Sequence, residues 1–336
     1  MKKFLLSMAL VAIAGAGTQA GAQTAPANAI NGKFSVAADK QVYFSQGNLQ
    51  YTQSTATWAF AEHQYDMIGT DNVTGGTVYH NATDGDEVLG EALADKIDLF
   101  GWSGSTAAVQ WGVGISNNSA DYSGDFVDWG SNTIGTDAPD TWRTLTENEW
   151  EYVLSNRADA DTKKGVARIN LSSDGTVYAN GLILLPDTWT APAGVTFKSG
   201  FATEESVQAY ADYQTFTLSD WQQLESAGAV FLPAAGYRFA KQMYYVHSSA
   251  SYWTSTPDET NSAKQLACNS TRVGIFFSMR NIGMSVRLVQ EAKSVGTGIA
   301  ETAMTGNVET RKVLRDGQIL IQRGDQTYTV MGTTSK

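Results

Sequence analysis

The stretch Trp142-Arg143-Thr144-Leu145-Thr146-Glu147-Asn148-Glu149-Trp150-Glu151-Tyr152 holds the most explicit local signal in the chain. Thr146 followed three residues later by Glu149 is a capping box, in which the threonine hydroxyl accepts from the Glu149 amide and the glutamate reaches back to the Thr146 amide. Leu145 just before the cap and Trp150 just inside it form a hydrophobic staple that sets the angle at which the chain enters. A helix is therefore expected from here to about Asn156, with Thr146, Glu149 and Trp150 in structural roles. A second box, Ser219-Asp220-Trp221-Gln222, predicts another helix that stops after Ala227 at Gly228.

Outward from these two helices the pattern belongs to strands. Phe34, Val36, Val42-Tyr43-Phe44, Leu49-Gln50-Tyr51 and Thr57-Trp58-Ala59-Phe60 alternate or cluster apolar residues between short polar turns, the pattern of a meander. Further strands are predicted over Gly181 to Leu185, Ala229 to Leu232, Ser251 to Thr254, Gly274 to Met279 and Ser285 to Val289. Two helices among roughly ten strands imply an α+β fold rather than a parallel α/β sheet. Between Asp66 and Asp140 periodicity fades into Gly, Asn, Ser and Asp with isolated aromatics, so long loops are expected there.

The composition agrees with this reading. In 336 residues, 42% are hydrophobic and 17% charged, with 32 Gly and 9 Trp, which suits a loop-rich globular protein and excludes a disordered chain. Residues 1–22 read as a signal peptide: Lys2 and Lys3, an apolar run from Phe4 to Gly17, then the small residues Ala20-Gly21-Ala22. That run is too short to span a membrane and no second one follows, so no transmembrane segment is expected once the leader is removed. With no cysteine near the cleavage point, a lipid anchor on an N-terminal cysteine is not expected either. Losing Lys2 and Lys3 lowers the basic count from 23 to 21 and the net charge from −11 to −13, which argues against a nucleic-acid partner. The expected plan is a polar tail over 23–31, a main domain over 32–290, a linker over 291–310 and a small β-module over 311–336, built on the turn pair Asp316-Gly317.

Catalytic signatures are scarce. The chain has no nucleophile elbow, no phosphate loop and no zinc motif, and its histidines, His63, His80 and His247, are scattered. The acidic groups Asp84, Asp86, Glu87 and Asp121, Asp125, Asp128 contain calcium-type ligands, yet neither matches a twelve-residue calcium loop, and turn carboxylates are the favoured reading. No cofactor is expected. Arg323-Gly324-Asp325 is read as a turn rather than an adhesion tripeptide. Between Gly236 and Arg287, aromatics interleave with amides and guanidinium groups, a mixture suited to glycan or peptide recognition. The candidate ligand-binding residues are Tyr244, Tyr245, His247, Trp253, Asn269, Arg272, Arg280 and Asn281.

The Trp142 to Tyr152 stretch resembles the R-L-P-T-E-A-E-W-E-Y segment of the formylglycine-generating, sulfatase-modifying enzyme superfamily. Leu232-Pro233-Ala234-Ala235-Gly236-Tyr237-Arg238, Tyr252-Trp253-Thr254-Ser255-Thr256 and Gly283-Met284-Ser285-Val286-Arg287-Leu288 look like its closing strands. They are closer still to the paralogous major domains of exported Bacteroidetes and Fibrobacter proteins. The resemblance implies a C-type-lectin-like fold, with packing roles for Trp150 and Arg287 and a ligand surface on the closing strands and loops. It does not carry over the oxidase activity, because the oxidising members bind copper through a cysteine pair and this chain has Cys268 alone. The histidine-rich iron site of sulfoxide-forming relatives is also poorly matched. The C-terminal module resembles terminal segments of exported Bacteroidetes proteins, some of which are sorting signals. The expectation is thus an exported, non-catalytic binder of a glycan or an extracellular protein, secreted, on the surface of a Gram-negative cell, or periplasmic. Its rivals are a diverged hydrolase using loop carboxylates and a purely structural surface component; the oligomeric state stays open.

Overall fold

The computed structural model describes residues 25–68, 87–88, 95–106, 108, 110–292, 310–315, 318–323 and 326–329. The leader expected over residues 1–22, His80, Asp84, Asp86, the linker expected beyond 292 and the pairs Asp316-Gly317 and Gly324-Asp325 lie outside the described residues. The chain divides into two compact units, Met1–Lys293 and Ser294–Lys336.

In the first unit the fold is mixed α+β and mostly strand. The hairpin of Ala29–Ala37 with Lys40–Ser45 pairs through its second strand with Leu288–Glu291, which pairs in turn with Arg143–Thr144. The opening and closing strands of the unit are thus neighbours. A second sheet takes Thr215–Thr217, Lys164–Asn170, Tyr178–Leu184 and Val230–Pro233 in that order, antiparallel except for its first pair. Two further sheets bear on the site below. One carries the hairpin Tyr237–Phe239 and Gln242–Tyr244, flanked by Ile282–Gly283 and Glu87–Val88. The other is a meander of Ala250–Pro257, Ser262–Asn269 and Arg272–Met279.

Three α-helices occur among the described residues: α1 (Glu147–Glu151), α2 (Val207–Tyr213) and α3 (Leu218–Ser226). Helix α1 begins with the complete Thr146/Glu149 box and passes into a π-turn over Tyr152–Asn156. Leu145 and Trp150 are both buried in one core cluster with Phe44, Val153 and Leu182. Glu149 does more than cap. It receives a two-pronged bond from Arg143 at 2.8 and 2.8 Å and lies 3.1 Å from the Lys40 ammonium, while Arg143 also reaches Glu291 at 2.6 Å. One carboxylate therefore ties the helix start to the opening hairpin and the closing strand.

Helix α3 starts two residues before the predicted box. Its cap is Thr217 with Asp220, because the preceding strand ends where Thr217 pairs with Asn170 and the chain must turn there. The stop at Gly228 is as expected from its left-handed φ of +96°. Helix α2, capped by Ser206, has no counterpart in the sequence reading. The predicted strand from Ser285 begins only at Leu288, since the Ser285 backbone bonds instead to Ser251 and Trp253.

Seven of the nine tryptophans are buried, so most of the aromatic richness is core. Arg287 is buried too. Its guanidinium donates to Asn48 Oδ1 and Gln64 Oε1, and Gln64 also accepts from the Phe231 amide, which links three segments distant in sequence. Burial pushes the Arg287 pKa down to about 10. No helix among the described residues is long and apolar enough to cross a membrane.

The second unit is an antiparallel meander of Thr310–Arg315, Gln318–Arg323 and Gln326–Thr329, with Arg315 paired to Gln318.

Candidate functional site

The site begins with a backbone constraint at Gly236. Its φ is +70°, and a Cβ there would lie 2.1 Å from the Tyr244 carbonyl oxygen, so only glycine lets the hairpin's return strand pass this close. The loop that follows is fastened from behind. The Gly236 amide donates to Ser249 O at 2.8 Å, the His247 amide to Ala234 O at 2.7 Å, Asn180 Nδ2 to His247 O at 2.9 Å and the Tyr210 hydroxyl to Ser248 O at 2.9 Å. So held, Tyr245 sits in the left-handed region with φ of +57°, a cost of order 1 kcal/mol that the surrounding bonds must offset. Its side chain is 40% exposed. Tyr237 stacks on Tyr244 with centroids 5.3 Å apart and an interplanar angle of 17°, and lies 5.7 Å from Tyr245.

Facing these tyrosines is one side of the meander. Cross-strand pairing sets Ser251 beside Ala267 and Gly274, Gln265 beside Phe276, and Asn269 beside Arg272. Between sheet and hairpin lies a hollow of about 380 Å³ lined by Tyr237, Tyr245, Glu205, Gln265, Asn269 and several serines. A smaller hollow of about 180 Å³ adjoins it, shares Ser249, Ala267 and Asn269, and extends to Arg272 and Phe276. The Arg272 guanidinium lies 5.5 Å from the Phe276 ring centre. Gln265 Oε1 is buried and has no hydrogen-bond partner among the described residues. Asn269 Oδ1 is engaged by the Thr271 amide and hydroxyl and the Arg272 amide, which fixes the side chain in the wall of the hollow.

Of the eight residues expected to bind ligand, Tyr245, Asn269 and Arg272 line these hollows, and Tyr244 supports them through its stack on Tyr237. The other four, Trp253, His247, Arg280 and Asn281, are interior rather than ligand-facing. Trp253 is 1% exposed and donates its indole N–H to Phe100 O at 2.7 Å. His247 is buried, its ring 5.1 Å from that of Tyr178. Arg280 spends its guanidinium on the carbonyls of Ser262, Gly124 and Glu259, 4.1 Å from the Trp102 ring. Asn281 is fully buried between Ser119 and Asn117. For Trp253, Arg280 and Asn281 the polar group satisfies backbone or side-chain partners that would otherwise be orphaned in the interior.

Phe276, one of the aromatics of the closing stretch, completes the site together with Gln265 and Glu205, which nothing in the sequence marks. The strand Ser262–Asn269 hides its alternation behind the small residues Ala263 and Ala267, so nothing local marks Gln265 as facing a hollow.

Asp121 and Asp128 of the second acidic group are spent on local turns. Asp128 accepts from the Gly130 amide and from the Thr144 amide and hydroxyl, and Asp121 from the Ser116 hydroxyl. Among the described residues no group of three or more His, Cys, Asp or Glu side chains is placed to hold a metal. Cys268 lies buried in the main core, where desolvation pushes its thiol pKa up. No family model, curated protein or solved structure matches the chain.

Proposed function

We propose that this chain is an exported, non-catalytic binding protein with a C-type-lectin-like domain, and that the paired hollows beside Tyr245 take a glycan. The observation that carries the reading is the meeting of exposed rings with fixed polar groups on the closing strands. Tyr245 and Phe276 supply flat faces, and Gln265, Asn269, Arg272 and Glu205 surround them with donors and acceptors. Sugar rings need both, apolar C–H faces to stack and hydroxyls to satisfy. A purely structural role predicts closing-strand aromatics packed inward; Phe276 at 41% and Phe277 at 69% exposure speak against it. Export rests on the leader pattern of residues 1–22.

The test is a glycan array followed by calorimetry on the best hit, with wild type, Tyr245→Ala and Asn269→Ala. Each substitution is expected to weaken binding by about tenfold; Tyr245→Ala leaves the melting midpoint nearly unchanged, whereas Asn269→Ala lowers it because the Thr271 and Arg272 donors lose their acceptor. Absence of any glycan hit, or affinity unchanged in both variants, would overturn the assignment.

A further inference from the structure

The hairpin that carries the tyrosine stack has a second face. Its pairing sets Tyr237 opposite Tyr244 and Arg238 opposite Met243, and alternation turns these pairs to opposite sides. On the Arg238 side lies a cavity of about 480 Å³ that shares no lining residue with the hollows described above. That volume falls within the ordinary range for small-molecule sites.

Its walls are apolar, made by Ile97, Leu99, Val113, Ile115 and Met243, and Ile115 is 38% exposed. The Arg238 guanidinium holds these walls together. It donates to Ala240 O at 2.8 Å, Leu99 O at 2.9 Å and Gly114 O at 3.0 Å, so its hydrogen bonds are spent on backbone while its charge remains. Asp98 contributes a carboxylate fixed by the Ile68 amide at 2.7 Å. At the mouth stand Lys96 and Lys241, both exposed and neither ion-paired among the described residues.

Among the described residues three cations and one carboxylate line this apolar cavity, in a chain whose net charge is −11. The local sign is opposite to that of the whole molecule. A cationic ligand would be repelled at the mouth, and a neutral one would gain nothing from the two lysines. The geometry points to a second binding site, for a small amphipathic organic anion whose apolar body lies along Ile97, Val113 and Ile115 and whose acid group meets Lys96 and Lys241.

Anilinonaphthalene sulfonate and its uncharged analogue phenylnaphthylamine make a matched pair of probes for a fluorescence titration of the full chain. Saturable binding of the sulfonate at one site is expected, about tenfold tighter than the neutral probe and displaced by decanoate. The double variant Lys96→Gln, Lys241→Gln should weaken the sulfonate about fivefold and leave the neutral probe within about twofold. Ile115→Asp should weaken both probes, and Tyr245→Ala neither, which separates this site from the glycan hollows. Circular dichroism on each variant establishes that it is folded. The proposal is overturned by the absence of saturable sulfonate binding, or by a lysine double variant that shifts both probes equally or neither.

Discussion

Asp98→Asn should make the protein more stable at neutral pH, by an amount that the burial of this side chain sets. Burial raises the Asp98 pKa from 3.8 to about 6, against the Ile68 amide and the Arg238 charge, which lower it, and with Asp66, which raises it. An acid whose pKa is raised on folding holds its proton more tightly in the native state, so stability is greatest below the unfolded pKa and falls as pH rises toward the folded one. The difference of about 2 pH units between 3.8 and about 6 corresponds to about 3 kcal/mol at 1.36 kcal/mol per unit. The attraction of Arg238 is already contained in that value. Asparagine keeps an oxygen for the Ile68 amide and carries no charge to desolvate. Urea unfolding of wild type and variant at several pH values between about 4 and 8 gives the stability difference directly. It should be small near pH 4, grow through pH 5 and level off above pH 6 at about 3 kcal/mol in favour of the variant. Asp128, also raised by burial, titrates in both proteins and cancels in the difference. A difference that stays flat to within about 0.5 kcal/mol across the range refutes the reasoning.

Glu149→Gln should cost about 1–2 kcal/mol at neutral pH, because the Arg143 fork and the Lys40 contact are lost. Burial opposes ionisation of Glu149, but Arg143, the Thr146 amide and Lys40 outweigh it and hold its pKa below the usual carboxylate range. That stability is present above the unfolded pKa and lost as pH falls, so denaturant melts of the two proteins should converge in acid. Gly236→Ala should lose about 2–4 kcal/mol and abolish glycan binding, since the added Cβ meets Tyr244 O at 2.1 Å in a left-handed conformation. Gly194→Ala, with φ of +83° and nothing within 4 Å, should lose only about 1 kcal/mol in the same melts. Equal losses at the two glycines would mean that the close approach at Gly236 is unimportant.

Much of the main unit could be read locally because its signals are short-range. The box at Thr146 and Glu149 needs only three intervening bonds of helix, and the runs at Val42 to Phe44 and Gly181 to Leu184 announce buried strands by apolarity alone. Where two local solutions competed, tertiary context chose. The box read at Ser219 gives way to one formed by Thr217 and Asp220, because the strand pairing ends at Thr217. Helix α2 buries only Ala209 and Tyr210, and the strand Ser262–Asn269 alternates through alanines, so neither carries enough periodicity to be seen.

The candidate site divides in the same way. From residue types alone the closing stretch is rich in aromatics, amides and arginines, and that richness is a property of the chain. Exposure is not. Trp253 and Tyr245 read equally well as ligand contacts, yet one indole is drawn inward to bond Phe100 O while the other ring is held outward by a loop pinned to Ala234, Asn180 and Tyr210. Arg272 and Arg280 differ likewise, one at an edge and one closing three carbonyls over Trp102. The amino-acid sequence by itself determined the α+β class, the caps and the store of recognition chemistry, because those depend on neighbours within a few residues. Which side chains face a hollow was decided only by the tertiary structure, because a buried polar group needs a partner, and those partners lie up to 239 residues away.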